Sequence, residues 1–562
     1  MKQYIFLLFL CVVFHVPGIS TLPPIDRDES RFAQATAQML ESGDFVRIRF
    51  QEEARNKKPV GIYWLQSAAV AISGTQGARE IWPYRLPSLL GAMVAVLLTF
   101  WIGKRLFDRE TAFMGAALFS ASILLVIEAH LATTDAVLLA TIVAAQGALS
   151  RYYLRRDPDS IPGVATFLTF WFAQAIGILV KGPLTPLISL LTVSCLVAAD
   201  RKAGWLRNLR PLRGLLIVAA IVSPWLIAIS VATKGAFFQD SIGRDLLSKV
   251  GSAQELHGFP PGFYLLLLPI TLWPASFFLG PALVRTWKSR SNPTIRFCMA
   301  WIIPIWIMFE LIPTKLPHYV LPTYPALCLL IAESLRACSA GAEAEIRSVW
   351  VRFGATACAL VILIAGIGIS VLPYYLDGNF QVWHLVSAIA ASGTAVLFAR
   401  EMLKFQYVRA AAIAIVGTAL VLSPALQWIL PNTNALWLSR GVADQAHKHT
   451  PAGLPIRLAS AGYYEPSLVF LLGTQTLLTS SSQAALFLRQ QPNGLALIGA
   501  AEDEEFRRIV RRFKFPVAEL ATIQGFNYTL GKNTTLRLYG RVADQETSGM
   551  SPGKSRDESR IP

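Results

Sequence analysis

Apolar residues run through this chain in long blocks rather than in the alternation of soluble strands or the narrow stripe of a surface helix. Crossing the hydrocarbon of a bilayer takes about 20 mainly apolar helical residues. Stretches of that kind lie near 3–20, 86–103, 112–128, 135–150, 163–180, 184–200, 214–231, 262–281, 297–312, 319–335, 353–372, 384–399 and 410–427. They predict about thirteen transmembrane helices, and a further apolar stretch at 60–74 leaves that count open by one. Residues 1–20 read as an uncleaved first helix, because Lys2 alone is a thin basic start and Gly18 and Ser20 form a poor cleavage site.

After residue 430 the blocks stop. "PIRLASAG", "TQTLLTS" and "GLALIGA" read as short strands, and "EPSLVFLLG", "SSQAALFLRQQ" and "EDEEFRRIVRRF" read as helices between them. That alternation predicts a small α/β domain over 431–543, with a polar, disordered tail at 544–562. Residues 1–430 then form the membrane domain, and 21–85 its first external loop.

Composition agrees with this division. Of 562 residues, 54% are hydrophobic and 15% charged, against about 25% charged in a typical soluble domain. The six cysteines form no CxxC pair, so neither a redox motif nor a cysteine metal site is indicated. A net charge of +16 would suggest nucleic acid for a soluble protein; here its placement argues otherwise. With the N-terminus inside, "GKRLFDRE", "RYYLRRDPD", "DRKAGWLRNLRPLR", "VRTWKSRSNPTIR", "RACSAGAEAEIR" and "REMLKFQYVR" all fall in cytoplasmic loops, as the positive-inside rule requires. The opposite loops beyond residue 128 are poor in basic residues, and the C-terminal domain falls on their side.

The first external loop breaks the charge rule. It holds Arg27, Arg31, Arg47, Arg49, Arg55, Lys57, Lys58, Arg79 and Arg85, balanced by a near-equal set of acids. Basic side chains kept outside suit an anionic ligand at the outer membrane surface. "DRDESRFAQATAQML" starts with a capping-box-like Asp26 and Glu29 and continues with Phe32, Ala35, Met39 and Leu40 at helical spacing, which predicts an amphipathic surface helix. Helix capping is the preferred reading of Asp26 and Glu29.

"DRDESRFAQATAQMLESGDFV…NKKPVGIYWLQ" resembles the first periplasmic loop of the polyprenyl-phosphate-sugar glycosyltransferases of the GT-C type. It is most similar to the branch holding the 4-amino-4-deoxy-L-arabinose lipid A transferases and the protein O-mannosyltransferases. Asp28, Glu29, Arg31, Phe32, Lys58, Pro59, Tyr63 and Trp64 match that family's motif positions, and "TTDAVLLA", "LVKGPL", "TKLPHYVLPTYP" and "GYYEPSLVFLLG" follow in the family's order. The resemblance implies a GT-C membrane fold in the bacterial inner membrane, with site and C-terminal domain periplasmic. It implies an inverting transfer of sugar from a polyprenyl phosphate to an acceptor hydroxyl, lipid A or lipopolysaccharide core, with membrane lipids as further partners and no nucleic acid.

That chemistry requires a carboxylate to take the hydroxyl proton and cations to stabilise the departing phosphate. By the resemblance Asp28 is the base, oriented by Arg31 one helical turn away. Lys58, Tyr319 and Lys315 are donor-phosphate contacts, with plain interfacial snorkelling the alternative for Lys58. Asp135, Arg244, Lys249 and His257 are candidate substrate-loop residues, the last three in "SIGRDLLSKVGSAQELHG", which is either a lid or a solvated charged loop. The arabinose branch has Glu-Lys-Pro where this chain has Lys57-Lys58-Pro59, so an acidic metal ligand is replaced by a cation. No cofactor or metal is therefore expected, although Asp135 and His257 remain conceivable ligands of a divalent ion. The alternatives are a protein O-glycosyltransferase of the same fold or, further off, a transporter or flippase, which would place ionisable groups nearer mid-membrane.

Overall fold

The computed structural model describes residues 1–154, 162–241, 243, 258–339 and 349–542. It forms two compact units, Met1–Thr433 and Asn434–Pro562. The predicted tail at 544–562 and the charged segment carrying Arg244, Lys249 and His257 lie outside the described residues.

Among the described residues the first unit is built of helices, with a two-stranded hairpin of β1 (Arg49–Phe50) and β2 (Glu53–Ala54) and an isolated bridge between Gly258 and Thr314. It opens with α1 (Lys2–His15), α2 (Asp28–Ser42), α3 (Gly61–Ser73) and α4 (Trp82–Leu106), followed by α5 (Arg109–Ser120) and α6 (Ile123–Ala129). Then come α7 (Asp135–Tyr153), α8 (Val164–Lys181), α9 (Leu184–Asp200) and α10 (Pro211–Thr233). Local signals set the limits of several. Asp108 caps α5 by accepting from the Glu110 and Thr111 amides, each at 2.9 Å, and α2 ends on Gly43 at φ 68°.

Among the described residues, eight helices can cross a membrane by length and composition: α4, α8, α10, Pro293–Leu311, Pro317–Cys338, Gly354–Asp377, Val382–Leu403 and Tyr407–Asn432. Two bent pairs raise this to ten, α5 with α6 at 61° and Phe263–Thr271 with Ala275–Lys288 at 112°. The thirteen apolar stretches all fall on helices, but α1 and α9 are only 14 and 17 residues long and the 19-residue α7 also falls outside the criterion, so it gives fewer crossings than the sequence pattern. The protein is a multi-pass membrane protein. The two bends are stitched together: the Ile123 amide, released where α5 breaks from α6, donates to the Trp273 carbonyl at 3.2 Å. A broken helix within a bilayer needs such a partner for each freed backbone group.

The loops read as cytoplasmic are tied to one another. Arg336 pairs with Asp108 and Glu110, Arg296 with Asp200, and Arg285 with Glu333. In the first loop, Asp28, Arg31 and Arg55 meet at the start of α2, while Arg47 with Asp44 and Arg79 with Glu41 pair at its end.

The second unit is a five-stranded mixed sheet in the order β4-β3-β5-β7-β6. The strands are β3 (Leu458–Ala461), β4 (Leu477–Leu478), β5 (Leu495–Gly499), β6 (Val517–Asn527) and β7 (Lys532–Arg541). β3 is parallel to β4 and β5, while β7 is antiparallel to β5 and β6. β3 and β5 are buried on both faces, which is why they read as apolar runs, interrupted in β3 by Ser460. On one face Leu495 and Leu497 pack with Leu438 and Val442; on the other Ala496 and Ile498 pack with Leu488 and Phe506. The α/β expectation matches, but the sequence reading missed the β6–β7 hairpin and the Leu438–His449 helix. Asn527, the asparagine of the "NYT" sequon, is buried and bonded to Glu465, which removes it from the surface a glycan would need.

Candidate active site

The chain enters α2 through Arg27 at φ 66°, a sharp turn that makes Asp28 the first helical residue. Its carboxylate is 63% exposed, with Oδ1 3.9 Å from Arg31 Nη1 and 3.8 Å from Arg55 Nη2. Neither distance is a hydrogen bond, so Asp28 sits between two cations with its oxygens open to a further partner. Arg55 is itself fixed. Its amide donates to Ile48 at 2.8 Å, and its guanidinium lies 5.1 Å from the centre of the Phe32 ring, which packs on Tyr63.

A second group lies at the ends of neighbouring helices. Lys181, closing α8, places Nζ 2.5 Å from Oδ1 of Asp135, the first residue of α7. His318 faces the same Asp135 oxygen with Nε2 at 3.6 Å and Glu128 Oε1 with Nδ1 at 3.5 Å. Tyr319 lies under Lys181, whose Nζ is 5.9 Å from the ring centre. The two groups share a field, since the charge of Asp28 acts on Glu128 and that of Lys58 on Asp135. Two glycines let the helices below approach at backbone distance. A Cβ on Gly61 would lie 2.7 Å from the Leu179 carbonyl oxygen, and one on Gly91 would lie 2.8 Å from that of Ala136.

Three comparisons give this arrangement a context. Residues 57–227 match the family profile described as dolichyl-phosphate-mannose-protein mannosyltransferase. The undecaprenyl phosphate-alpha-4-amino-4-deoxy-L-arabinose arabinosyl transferase of Yersinia pestis (strain Pestoides F) is 26% identical over 394 residues, 69% of each chain. The crystal structure of ArnT from Cupriavidus metallidurans bound to undecaprenyl phosphate superposes with a TM-score of 0.72, covering 96% of this chain and 98% of that one at 18% identity. The Archaeoglobus fulgidus oligosaccharyltransferase has a TM-score of 0.53 at 11% identity, covering 92% of this chain and 68% of its own. The chain has the GT-C fold of these structures.

Within this fold, the structure brings Asp28 and Arg31 together and sets Lys58, half-exposed, where its charge reaches Asp135. Tyr319 borders the same group. Lys315 is placed differently from its reading as a phosphate contact. It is 1% exposed, and Nζ donates to the carbonyls of Glu310 at 2.7 Å, Ile312 at 3.0 Å and Phe309 at 3.3 Å. An ammonium has three protons, so this set leaves none for a phosphate. Lys315 instead closes the end of the Pro293–Leu311 helix, where a cation offsets the negative end of the helix dipole.

Glu29 is also not a cap. Its buried carboxylate pairs with Arg85, and within the α2 region it accepts from Ile25 rather than from an amide of the first turn.

Sequence reading missed Arg55, Glu128 and His318 as site residues and quoted Lys181 without assigning it. Each lay inside a segment already singled out: Arg55 in the basic loop, Glu128 before "TTDAVLLA", His318 in "TKLPHYVLPTYP".

Ligand atoms of Glu128, Asp135 and His318 lie within 4.8 Å of one another, the candidate metal group among the described residues. His318 faces Asp135 with Nε2 and Glu128 with Nδ1, so either ring nitrogen could ligate an ion while the other bonds a carboxylate. Lys181 already places a positive charge on the Asp135 oxygen that His318 faces.

Proposed function

We propose that this enzyme transfers a sugar, with inversion, from a polyprenyl phosphate to a hydroxyl of lipid A or the lipopolysaccharide core, at the periplasmic face of the inner membrane. The observation that carries the reading is the open carboxylate of Asp28, held between Arg31 and Arg55 at the mouth of a cationic site. Arg31 and Arg55, each about 4 Å from Oδ1, orient the carboxylate without occupying it by a hydrogen bond. An ionised carboxylate with free lone pairs is what a hydroxyl nucleophile needs in order to lose its proton.

In this reading the acceptor oxygen attacks the anomeric carbon while its proton passes to an Asp28 oxygen. The bond from that carbon to the phosphate oxygen breaks, and the electron pair leaves on the lipid phosphate. Lys58 and the Tyr319 hydroxyl receive that phosphate, and Arg55 adds positive potential from beneath Asp28. Protein cations serve in place of a divalent metal. The arabinosyl transferases among the relatives, matched across 69% of this chain, support a lipid-linked pentose donor, and the lipopolysaccharide acceptor rests on the resemblance of the first loop to the lipid A transferases. The periplasmic side rests on the distribution of basic loops.

Mass spectrometry of lipid A and core from a strain lacking the gene tests the reading, with purified enzyme and synthetic undecaprenyl-phosphate sugars as its partner experiment. A missing sugar on lipid A or core, restored by the wild-type gene, is the expected result. An unchanged lipopolysaccharide with sugar lost from a secreted protein would replace it with the protein O-glycosyltransferase reading.

A further inference from the structure

Arg85 and Glu29 form the most completely satisfied ion pair of the site region, and the established features leave it without a task. Arg85, on α4, is 0% exposed, and the Glu29 side chain is 1% exposed. The guanidinium meets the carboxylate as a fork, Nε to Oε1 and Nη2 to Oε2, both at 2.8 Å. Its remaining protons go to the carbonyls of Ile19 at 3.0 Å, Leu22 at 2.7 Å and Pro23 at 3.0 Å. The carboxylate's second lone pairs accept the amides of Ile25 at 2.8 Å and Ala132 at 2.9 Å. All five guanidinium protons and all four carboxylate lone pairs are used.

We infer that this pair is a positioning device for the transfer reaction, an inference that rests on the function proposed above. Glu29 follows Asp28 directly, and Ala132 lies three residues before Asp135. One carboxylate therefore bonds both to the segment that presents the base and to the loop that presents Asp135 and Glu128. Arg85 locks that carboxylate to the chain leaving α1. A pair that only stabilised the bundle would not need the two amides. Through them, the separation between Asp28 and the Asp135–His318 group is fixed by hydrogen bonds that tolerate little displacement, and a 1 Å misplacement of a reacting group lowers rates by about 100-fold.

The test uses full-length enzyme in lipid nanodiscs. Glu29→Gln keeps the side-chain shape but replaces one acceptor oxygen by a donor group, while Glu29→Met with Arg85→Met removes both charges from the interior and keeps the fold testable should the single variant fail to insert. Hydrogen exchange over residues 128–136 should speed up at least tenfold in both, with overall unfolding temperature retained in the double variant. In the same samples kcat should fall at least 30-fold, with donor KM changed less than threefold. The double variant with faster exchange and wild-type kcat would overturn the inference, and so would unchanged exchange. The exchange arm needs no substrate, so a failure of the proposed sugar transfer is read separately, as wild-type enzyme inactive on every lipid-phosphate donor.

Discussion

Replacing Asp28 by Asn removes one charge and almost none of the side chain's volume, so its effects on rate and on fold can be set apart by magnitude. Proton transfer by a positioned general base contributes about 10²- to 10⁴-fold to a rate. At about 1.36 kcal/mol per decade, that is roughly 3–5 kcal/mol of barrier. The structural loss is much smaller. Asp28 is 63% exposed, and its two charge neighbours stand at 3.9 and 3.8 Å. Coulomb's law at that separation in water gives about 1 kcal/mol per pair, and measured exposed pairs fall at or below it. The substitution should therefore leave the unfolding temperature within a few degrees of wild type while kcat falls by at least 100-fold. Donor affinity should hold or tighten slightly, because a negative charge has been taken from beside an anionic ligand. Initial rates with purified enzyme, undecaprenyl-phosphate sugar and lipid A, together with donor titration, read all three. A variant turning over near the wild-type rate would refute the assignment of the base. A variant that lost rate only in proportion to lost donor binding would make Asp28 a structural residue.

Lys58→Ala should raise donor KM about tenfold or more with insertion unchanged, whereas exposed Lys57→Ala should change it little; equal full activity in both would remove the phosphate role of Lys58. Chelators should leave the rate within twofold of untreated enzyme, since Lys181 already occupies the charge position beside Asp135, and a rate abolished by chelation and restored by a divalent ion would refute metal-free transfer. Phosphatase fused after residues 240 and 440 should be active and after 156 and 290 inactive; activity at 156 would reverse the side of the site.

The sequence was most legible where one physical requirement dominates a whole segment. Long apolar blocks have a single stable solution in lipid, and the alternation of basic loops orients them. The start of α2 was legible through helical spacing. Glu29 was not, because its partner Arg85 stands 56 residues away and nothing local distinguishes a cap from half of a buried pair. Lys315 failed for a similar reason: a Lys beside helix-end carbonyls and a Lys facing a phosphate have the same neighbours in sequence. The β6–β7 hairpin was missed although "ATIQGFNYTLGKNTTLRLYG" is rich in Thr, Tyr and Ile around a Gly-Lys turn. Its strands are only partly buried, so the apolar contrast that marked β3 and β5 is weak there.

The two close-packed glycines bear on how this enzyme could be given a new sugar. A single methyl at Gly61 or Gly91 would press against a backbone carbonyl at less than 3 Å, and a carbonyl inside a helix has nowhere to retreat. Those positions form a floor that no library of larger residues can reshape without parting α3 from α8 or α4 from α7. Variation aimed at the donor belongs instead on the rim, at Lys57, Lys58 and Tyr319, where side chains are exposed or half-exposed and each change is borne by one residue. Directed evolution toward another lipid-linked saccharide should accordingly accumulate substitutions around the mouth and leave the glycine floor untouched.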